Sequence, residues 1–162
     1  MVHLTVAAKL SNGVDYRLDP KSSLAKNLRK AINLARDTRV ALQIDSYQPL
    51  FFRLQAEILV EEAYLPEKVL PAVHAAVQAA YAFETRQFGQ PVTQSELLSV
   101  LQAVPGVQAA FLKKLYLRNA ATATLENYLE APHAQRGLDN QVHPAALLLV
   151  DPQGIDITEK LV

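Results

Sequence analysis

The chain has 162 residues, half of them hydrophobic and a fifth charged, which is enough for one domain with a core, or two small fused layers, and too apolar for a largely disordered chain. Its 16 Lys and Arg balance 16 Asp and Glu, so it lacks the basic excess that a general nucleic-acid binder carries. Cysteine is absent, which excludes disulfides, thiolate chemistry and cysteine-ligated zinc, and no apolar run nears the roughly 20 residues that span a bilayer.

Met1 to Leu10 alternates, with Val2, Leu4, Val6, Ala8 and Leu10 on one face and His3, Thr5 and Lys9 on the other, the period-two signature of a half-buried strand rather than a basic-then-apolar leader. Asn12-Gly13 reads as a turn. Ser22 or Ser23 can cap a helix that keeps Leu24, Leu28, Ile32 and Ala35 on one face, turns Lys26, Arg29 and Lys30 to the other, and ends near Arg36-Asp37. Val40 to Ser46 alternates again, with Val40, Leu42 and Ile44 inward. Pro49 then marks a strand boundary or edge, because proline cannot donate to a sheet ladder. Phe52, Leu54, Ala56, Ile58 and Val60 form the next inward face, against Arg53, Gln55, Glu57 and Glu61; this is the clearest strand of the chain.

Pro66 suits the first turn of a helix, whose stripe is Val69, Val73, Val77, Ala80 and Tyr81 and which Phe88-Gly-Gln-Pro91 is expected to break. Thr93 and Glu96 have capping-box spacing for a short helix through Ala103, stopped by Pro105-Gly106. Val107 to Leu117 reads as a strand in which Lys113 falls on the inward face and spoils the pattern. Asn119 to Pro144 is polar and irregular, long for a loop in a compact domain, and is expected to be a mobile or partner-ordered insertion. Ala146 to Val150 fits a strand buried on both faces. Asp151-Pro-Gln-Gly154 reads as a turn, after which Ile155 to Thr158 resumes pairing.

This order, β-α-β and then β-α-α-β-β, predicts an α+β fold: a mixed or antiparallel sheet with helices mainly on one face, in a ferredoxin-like arrangement. The expected division is a β-α-β portion over 1–48 and a β-α-α-β-β portion over 49–162, fused into one compact unit, with the long loop at 119–144.

Chemistry-bearing motifs are scarce. The four histidines, His3, His74, His133 and His143, show no spacing that resembles a zinc motif. Glu57 and Glu61 share the outward face of a strand, where carboxylates are ordinarily solvated. Ser95 and Ser99 lack the Gly-x-Ser-x-Gly elbow, and there is no glycine-rich phosphate loop. The expectation is therefore no enzyme, with no catalytic, metal or cofactor-binding residues. What remains is charge patterning. Lys26, Arg29, Lys30, Arg36 and Arg39 make a locally basic stretch, and Glu126, Glu130 and Asp139 lead an acidic one that also carries Arg136. These nine residues are the candidate interface, either with a partner or head-to-tail between copies. For the basic stretch the solvated face of an amphipathic helix is the favoured reading, since the rest of the chain balances its charge, and a nucleic-acid contact is a further alternative, whose mark would be tight binding that falls steeply with salt.

Three stretches resemble the baseplate J-like family, in particular its phage baseplate assembly proteins. The first runs from Ser46-Tyr-Gln-Pro-Leu-Phe-Phe-Arg-Leu54 through Ile58-Leu-Val60 to Tyr64-Leu-Pro-Glu-Lys-Val69. The second, the most specific, is Ala82-Phe-Glu-Thr-Arg-Gln-Phe-Gly-Gln-Pro-Val92, then Ser95-Glu96 and Leu101-Gln-Ala-Val-Pro-Gly-Val107. The third is Pro144-Ala-Ala-Leu-Leu-Leu-Val-Asp-Pro-Gln-Gly-Ile-Asp156. They follow the family's order across nearly the whole chain and correspond to its C-terminal region. The resemblance implies a structural part of a contractile phage tail or related injection-system baseplate, made in the bacterial cytoplasm. Its implied partners are other wedge proteins and a second J-like subunit. Neither membrane nor nucleic acid is expected as a partner, and a homo-oligomer is compatible. Lys113-Lys114 and the stretch from Ala121 to Gln141 depart from the family pattern. A small ferredoxin-like ligand-binding module or enzyme is the alternative, and a deep polar pocket would be its mark.

Overall fold

The computed structural model describes residues 1–7 and 17–161; the expected strand positions Ala8, Lys9 and Leu10 and the Asn12-Gly13 turn lie outside the described residues. In chain order the elements are β1 (Val2–Val6), α1 (Ser23–Ala35), β2 (Leu42–Ser46), β3 (Gln48–Val60), α2 (Pro66–Ala80), a 3-10 turn (Phe83–Thr85), β4 (Val92–Thr93), α3 (Gln94–Gln102), β5 (Val107–Leu117), β6 (Tyr128–Leu129), β7 (Gln135–Arg136), β8 (Val142–His143) and β9 (Ala146–Glu159). The fold is α+β with mixed sheets. Its strands are divided among a parallel pair β1-β2, a three-stranded sheet in the order β5-β3-β9, and the pairs β4-β6 and β7-β8, rather than gathered in one ferredoxin-like sheet.

Two compact units result, Met1–Gln48 with Pro132–Ala146, and Pro49–Ala131 with Leu147–Val162. The segment from Pro132, read from the sequence as part of the second portion's long loop, is thus counted in the first unit.

In the first unit β1 and β2 pair in parallel from Val2↔Leu42 to Val6↔Ser46, and α1 is the crossover between them. The Ser22 hydroxyl accepts the Ala25 N–H at 3.1 Å and starts the helix. The core is Leu18, Ala25 and Ile44, against which Leu4, Val6, Leu28, Ile32 and Leu42 pack. The buried face of α1 is therefore Ala25-Leu28-Ile32. Leu24 and Ala35, expected inward, are exposed, as is Val40 ahead of β2. A face through 25, 28 and 32 keeps the i, i+3, i+7 spacing of an amphipathic helix equally well, so periodicity alone could not choose between the two. Past the helix end, Arg36 Nε donates to Asn33 Oδ1 at 2.8 Å and a terminal nitrogen to the carbonyls of Asp37 and Val40, which ties the 36–40 turn to the last turn of α1.

The second unit is built on β3. Phe52, Leu54, Ala56 and Ile58 are all buried, as the alternation predicted, and each faces an apolar residue of the antiparallel β5: Leu117, Leu115, Leu112 and Ala110. The register shifts twice, between Gln55/Ala56 and between Leu59/Val60. Lys113 and Gln108 are the extra residues of these two bulges. A bulge resets which face each later residue meets, so Lys113 points outward and pairs with Glu57 at 3.0 Å, and its poor fit to strict alternation is resolved.

Helix α2 buries Val69, Val73 and Val77, but it ends at Ala80, before Phe88. Tyr81 leaves helical geometry and buries its ring edge-on against Phe52, with centroids 5.1 Å apart. The Thr85 hydroxyl lies 2.9–3.1 Å from the carbonyls of Ala79, Ala80 and Ala82 and caps the end. Asp151 to Gly154 is no turn: β9 runs through it. Partner separation widens from 98 positions at Arg53–Asp151 to 101 at Gln55–Asp156, while indices on β3 and β9 rise together up to Lys160 N–H→Ile58 O. The two strands therefore run parallel, and the Asp-Pro-Gln-Gly stretch is a bulge that advances β9 without reversing it. The expected mobile loop at 119–144 also holds regular structure. Leu125 bridges Leu115, β6 pairs with β4 and β7 pairs with β8, and Leu129 and Ala131 are buried.

Candidate interaction surfaces

Most polar side chains that could carry chemistry are bound into the framework. The tightest cluster is in the second unit, around Arg86, which is only 7% exposed. Its NH1 meets Glu96 Oε1 at 2.8 Å, and its NH2 donates to the carbonyls of Gln90 and Pro91 at 3.2 and 2.6 Å. Its guanidinium carbon stands 5.0 Å from the centre of the Tyr81 ring, a cation–π arrangement. Glu96 sits on the first turn of α3, whose N-cap Thr93 accepts the Glu96 N–H at 3.1 Å. The capping residue is as expected, but the Glu96 carboxylate reaches to Arg86. The cluster thus fixes the end of α2, the 87–91 turn and the start of α3 to one another. Burial pushes the Tyr81 hydroxyl well above its ordinary range, helped by the Glu96 charge and opposed by Arg86, so it stays protonated. The Tyr81 hydroxyl and Arg86 Nε have no hydrogen-bond partner. Nothing in the sequence singled out Arg86: its partners lie four, five and ten positions on, in a turn and a different helix.

The three-stranded sheet carries a second polar row. Arg53 Nε meets the buried Asp151 at 2.9 Å, with Arg118 at 4.0 Å from the same carboxylate. The hydrogen bond that Arg53 donates to Asp151 raises the affinity of Arg53 for its proton. Gln55 donates to Asp156 at 2.8 Å, and Lys113 meets Glu57 at 3.0 Å. Each carboxylate of this row has a cation or amide beside it, so the row is paired along the sheet face.

Two histidines find carboxylates. His3 Nε2 lies 2.9 Å from Asp45 Oδ2, which also accepts from Gln43 Nε2 at 2.7 Å. The remaining ring nitrogen is buried and unpartnered, so this His–Asp pair presents no free nitrogen to a substrate. The pair is 42 positions apart and reflects the parallel register of β1 on β2. His143 Nε2 lies 3.4 Å from Asp139, an i,i+4 pair that the sequence does contain. It closes the β7–β8 hairpin and involves no third ligand: among the described residues no group of three metal-binding side chains occurs.

The nine candidate interface residues separate into two kinds. Lys26, Arg29 and Lys30 are exposed on α1, where with Asn33 and Leu34 they line a shallow depression of about 400 Å³. Leu34 is 81% exposed, so this face is basic with an apolar contact in it. Arg36 is held by Asn33 and by the carbonyls of the turn after α1, and the backbone N–H of Arg39 donates to Asp37 at 2.9 Å; their stretch is structural as much as presented. Glu126 and Glu130 are exposed in the second unit, Glu126 bonded to Thr124 at 2.7 Å. Arg136 and Asp139 lie on the β7–β8 hairpin of the first unit, whose tip presents the fully exposed Leu138. The acidic residues therefore belong to two units and form no single patch of one unit. No described helix is long and apolar enough to cross a membrane.

No protein-family model matches this chain, and no curated protein matches it.

Proposed function

We propose that the chain is a structural, protein-binding component of a contractile phage tail or related injection-system baseplate, where it links subunits of the wedge. In this reading it is not an enzyme, it is made in the bacterial cytoplasm, and its partners are other wedge proteins and a second J-like subunit. The ordered resemblance of its three sequence blocks is the starting point. The observation that carries the reading is the state of the most specific block, Phe83 to Val107. Two of its three charged side chains, Arg86 and Glu96, are bound to each other and to the turn they shape, while Glu84 is exposed, so the block's charge serves mainly to fix its form. The groups left exposed, the basic face of α1 and the Leu138 hairpin tip, suit contact with proteins better than catalysis.

Co-purification tests it. The tagged chain, expressed with the products of neighbouring genes of its source genome, should retain a wedge protein in fixed ratio after a moderate salt wash. Recovery of the chain alone, or with a small metabolite only, would sink the assembly reading and favour a ligand-binding module.

A further inference from the structure

We propose that the basic face of α1 is covered by a second copy of this chain, which docks on it the acidic corner where β3 passes into α2, Glu61 to Glu67. On the helix Lys26, Arg29, Lys30 and Asn33 stand at spacings of three and four, so they share one face, and all are exposed. The helix carries no carboxylate of its own. Among the described residues none of the three cations has an ion pair or a side-chain hydrogen bond. With Leu34, which is 81% exposed, they line the shallow depression of about 400 Å³. Three unpaired cations around an apolar contact are complemented by a surface that brings both negative charge and apolar side chains.

The chain itself carries such a surface. At the corner Glu61, Glu62 and Glu67 are exposed, and among the described residues none has an ion pair. Three carboxylates against the ammonium of Lys68 leave positions 61–68 at a net charge of −2. Between them Tyr64 is 44% and Leu65 53% exposed. The corner is held in shape before any partner arrives. The Glu61 N–H donates to Gly106 O at 3.0 Å and the Tyr64 N–H to Glu61 O at 2.9 Å. Gly106, at φ 90°, leaves open the space that the Tyr64 ring takes, 2.7 Å from where a Cβ would stand. A preformed knob loses little freedom on docking, and an exposed tyrosine is a frequent interface anchor. The other acidic segment, with Glu126 and Glu130, has two carboxylates, of which one is bonded to Thr124, so the 61–67 corner is the better complement. The formal net charge of the chain is zero, so no overall repulsion keeps copies apart. Because the two surfaces differ, the contact is heterologous and runs head to tail into a ring or filament. It needs no wedge protein, so it stands or falls separately from the baseplate reading.

Sedimentation velocity of the full chain at low salt, up to about 1 mM, tests this. The mass should rise with concentration, and affinity should fall about tenfold or more in high salt, where three exposed ion pairs are screened. Lys26→Glu/Arg29→Glu/Lys30→Glu and, separately, Glu61→Lys/Glu62→Lys should each stay monomeric. Mixed in equal amounts they should associate again, because each then meets the opposite charge on the other. Leu65→Ser leaves every charge in place and puts a better N-cap on α2, so the fold is safe; it should weaken assembly about tenfold. Glu126→Lys/Glu130→Lys should assemble as the parent does. A parent chain that stays monomeric throughout would overturn the proposal and leave α1 to an unrelated acidic protein. So would association indifferent to salt or to Leu65→Ser, charge-reversed variants that do not associate on mixing, or loss of assembly in the Glu126/Glu130 variant.

Discussion

Ile58 and Ile44 occupy comparable stations, each inward-facing on a strand against a crossing helix layer, yet their surroundings differ. Ile58 is fully enclosed, with Phe52, Val73, Val77, Leu97, Leu101 and Leu115 among equally dry neighbours in its unit. Ile44 is 9% exposed, and among the described residues the cluster around it has two other buried members, Leu18 and Ala25, with a rim of partly buried leucine, valine and isoleucine. Small cores bury a smaller fraction of their chain and are correspondingly marginal. The difference teaches that the two units divide the work. The second has a sheet in which nine of the eleven residues of β5 pair with β3, and the first adds polar anchors to its small apolar cluster: the Ser22 cap on α1 and the Thr5 hydroxyl accepting the Ala145 N–H at 3.0 Å.

The widest gap between the units should come from truncating these two isoleucines. Ile58→Ala leaves a cavity in a close-packed interior and should destabilise the second unit by about 4 kcal/mol, whereas Ile44→Ala, whose neighbours can relax toward solvent, should cost the first about 2 kcal/mol. Residue-resolved amide exchange under increasing denaturant separates the two, since a single unfolding free energy is not defined if the units open independently. Equal losses at both sites would erase the distinction between a deep and a shallow core.

A smaller effect tests whether the second unit's rigidity also depends on its buried charge. Arg86→Leu keeps bulk near Tyr81 but leaves the Pro91 and Gln90 carbonyls and the Glu96 carboxylate without their donor. The expected cost is about 3 kcal/mol. Arg86→Lys should recover little of it, because an ammonium cannot bond two carbonyls and a carboxylate in the guanidinium's planar fork. Urea unfolding followed by a probe on α3 reads both. Stability unchanged in Arg86→Leu would mean the cluster is incidental to the 87–91 turn.

These two sites also mark the limits of sequence reading. The inward face of β3 was legible because one covered sheet face imposes a strict period of two, and Ile58 belongs to it. The end of α2 was not, because Tyr81 is drawn out of the helix by burial against Phe52, a contact between distant positions. On β5 the misplaced Lys113 was a visible signal of the bulge, a break of parity in an otherwise apolar face, that strict alternation could only register as a flaw. For α1 the heptad-like spacing admitted two faces, and tertiary packing chose Ala25 over Leu24. Of the candidate interface, Lys26, Arg29 and Lys30 were readable as one helical face. Arg36 was not readable as the tie of the 36–40 turn, because two of its acceptors are backbone carbonyls that every residue offers. The open groove lined by Leu70, Pro71 and His74 of α2 and Ile155 and Ile157 of β9 left no local trace, since its two walls are more than eighty positions apart in the chain.

The smallest effect belongs to the hairpin of the first unit, and it carries a pH dependence. Asp139 accepts the Gln141 N–H at 3.0 Å, and that hydrogen bond, opposed by slight desolvation and aided by His143, holds its carboxyl below the usual carboxylate range. A carboxyl with a depressed folded-state pKa adds stability that is fully present above the unfolded value of about 3.9 and is lost as pH falls through the folded value. Asp139→Asn should therefore loosen β7–β8 at neutral pH, and the gap between variant and parent should close below pH ~3.9 as the parent protonates. Amide exchange of Gln141 across that range reads the hairpin directly, and the carbon resonance of the Asp139 carboxyl gives the midpoint. Since the group is exposed, the loosening should stay local to 135–143 and leave Ile58 and its neighbours untouched. A midpoint at or above the ordinary carboxylate value, or a loss that spreads into the β5-β3-β9 sheet, would mean the hairpin is held by something other than the Asp139–Gln141 bond.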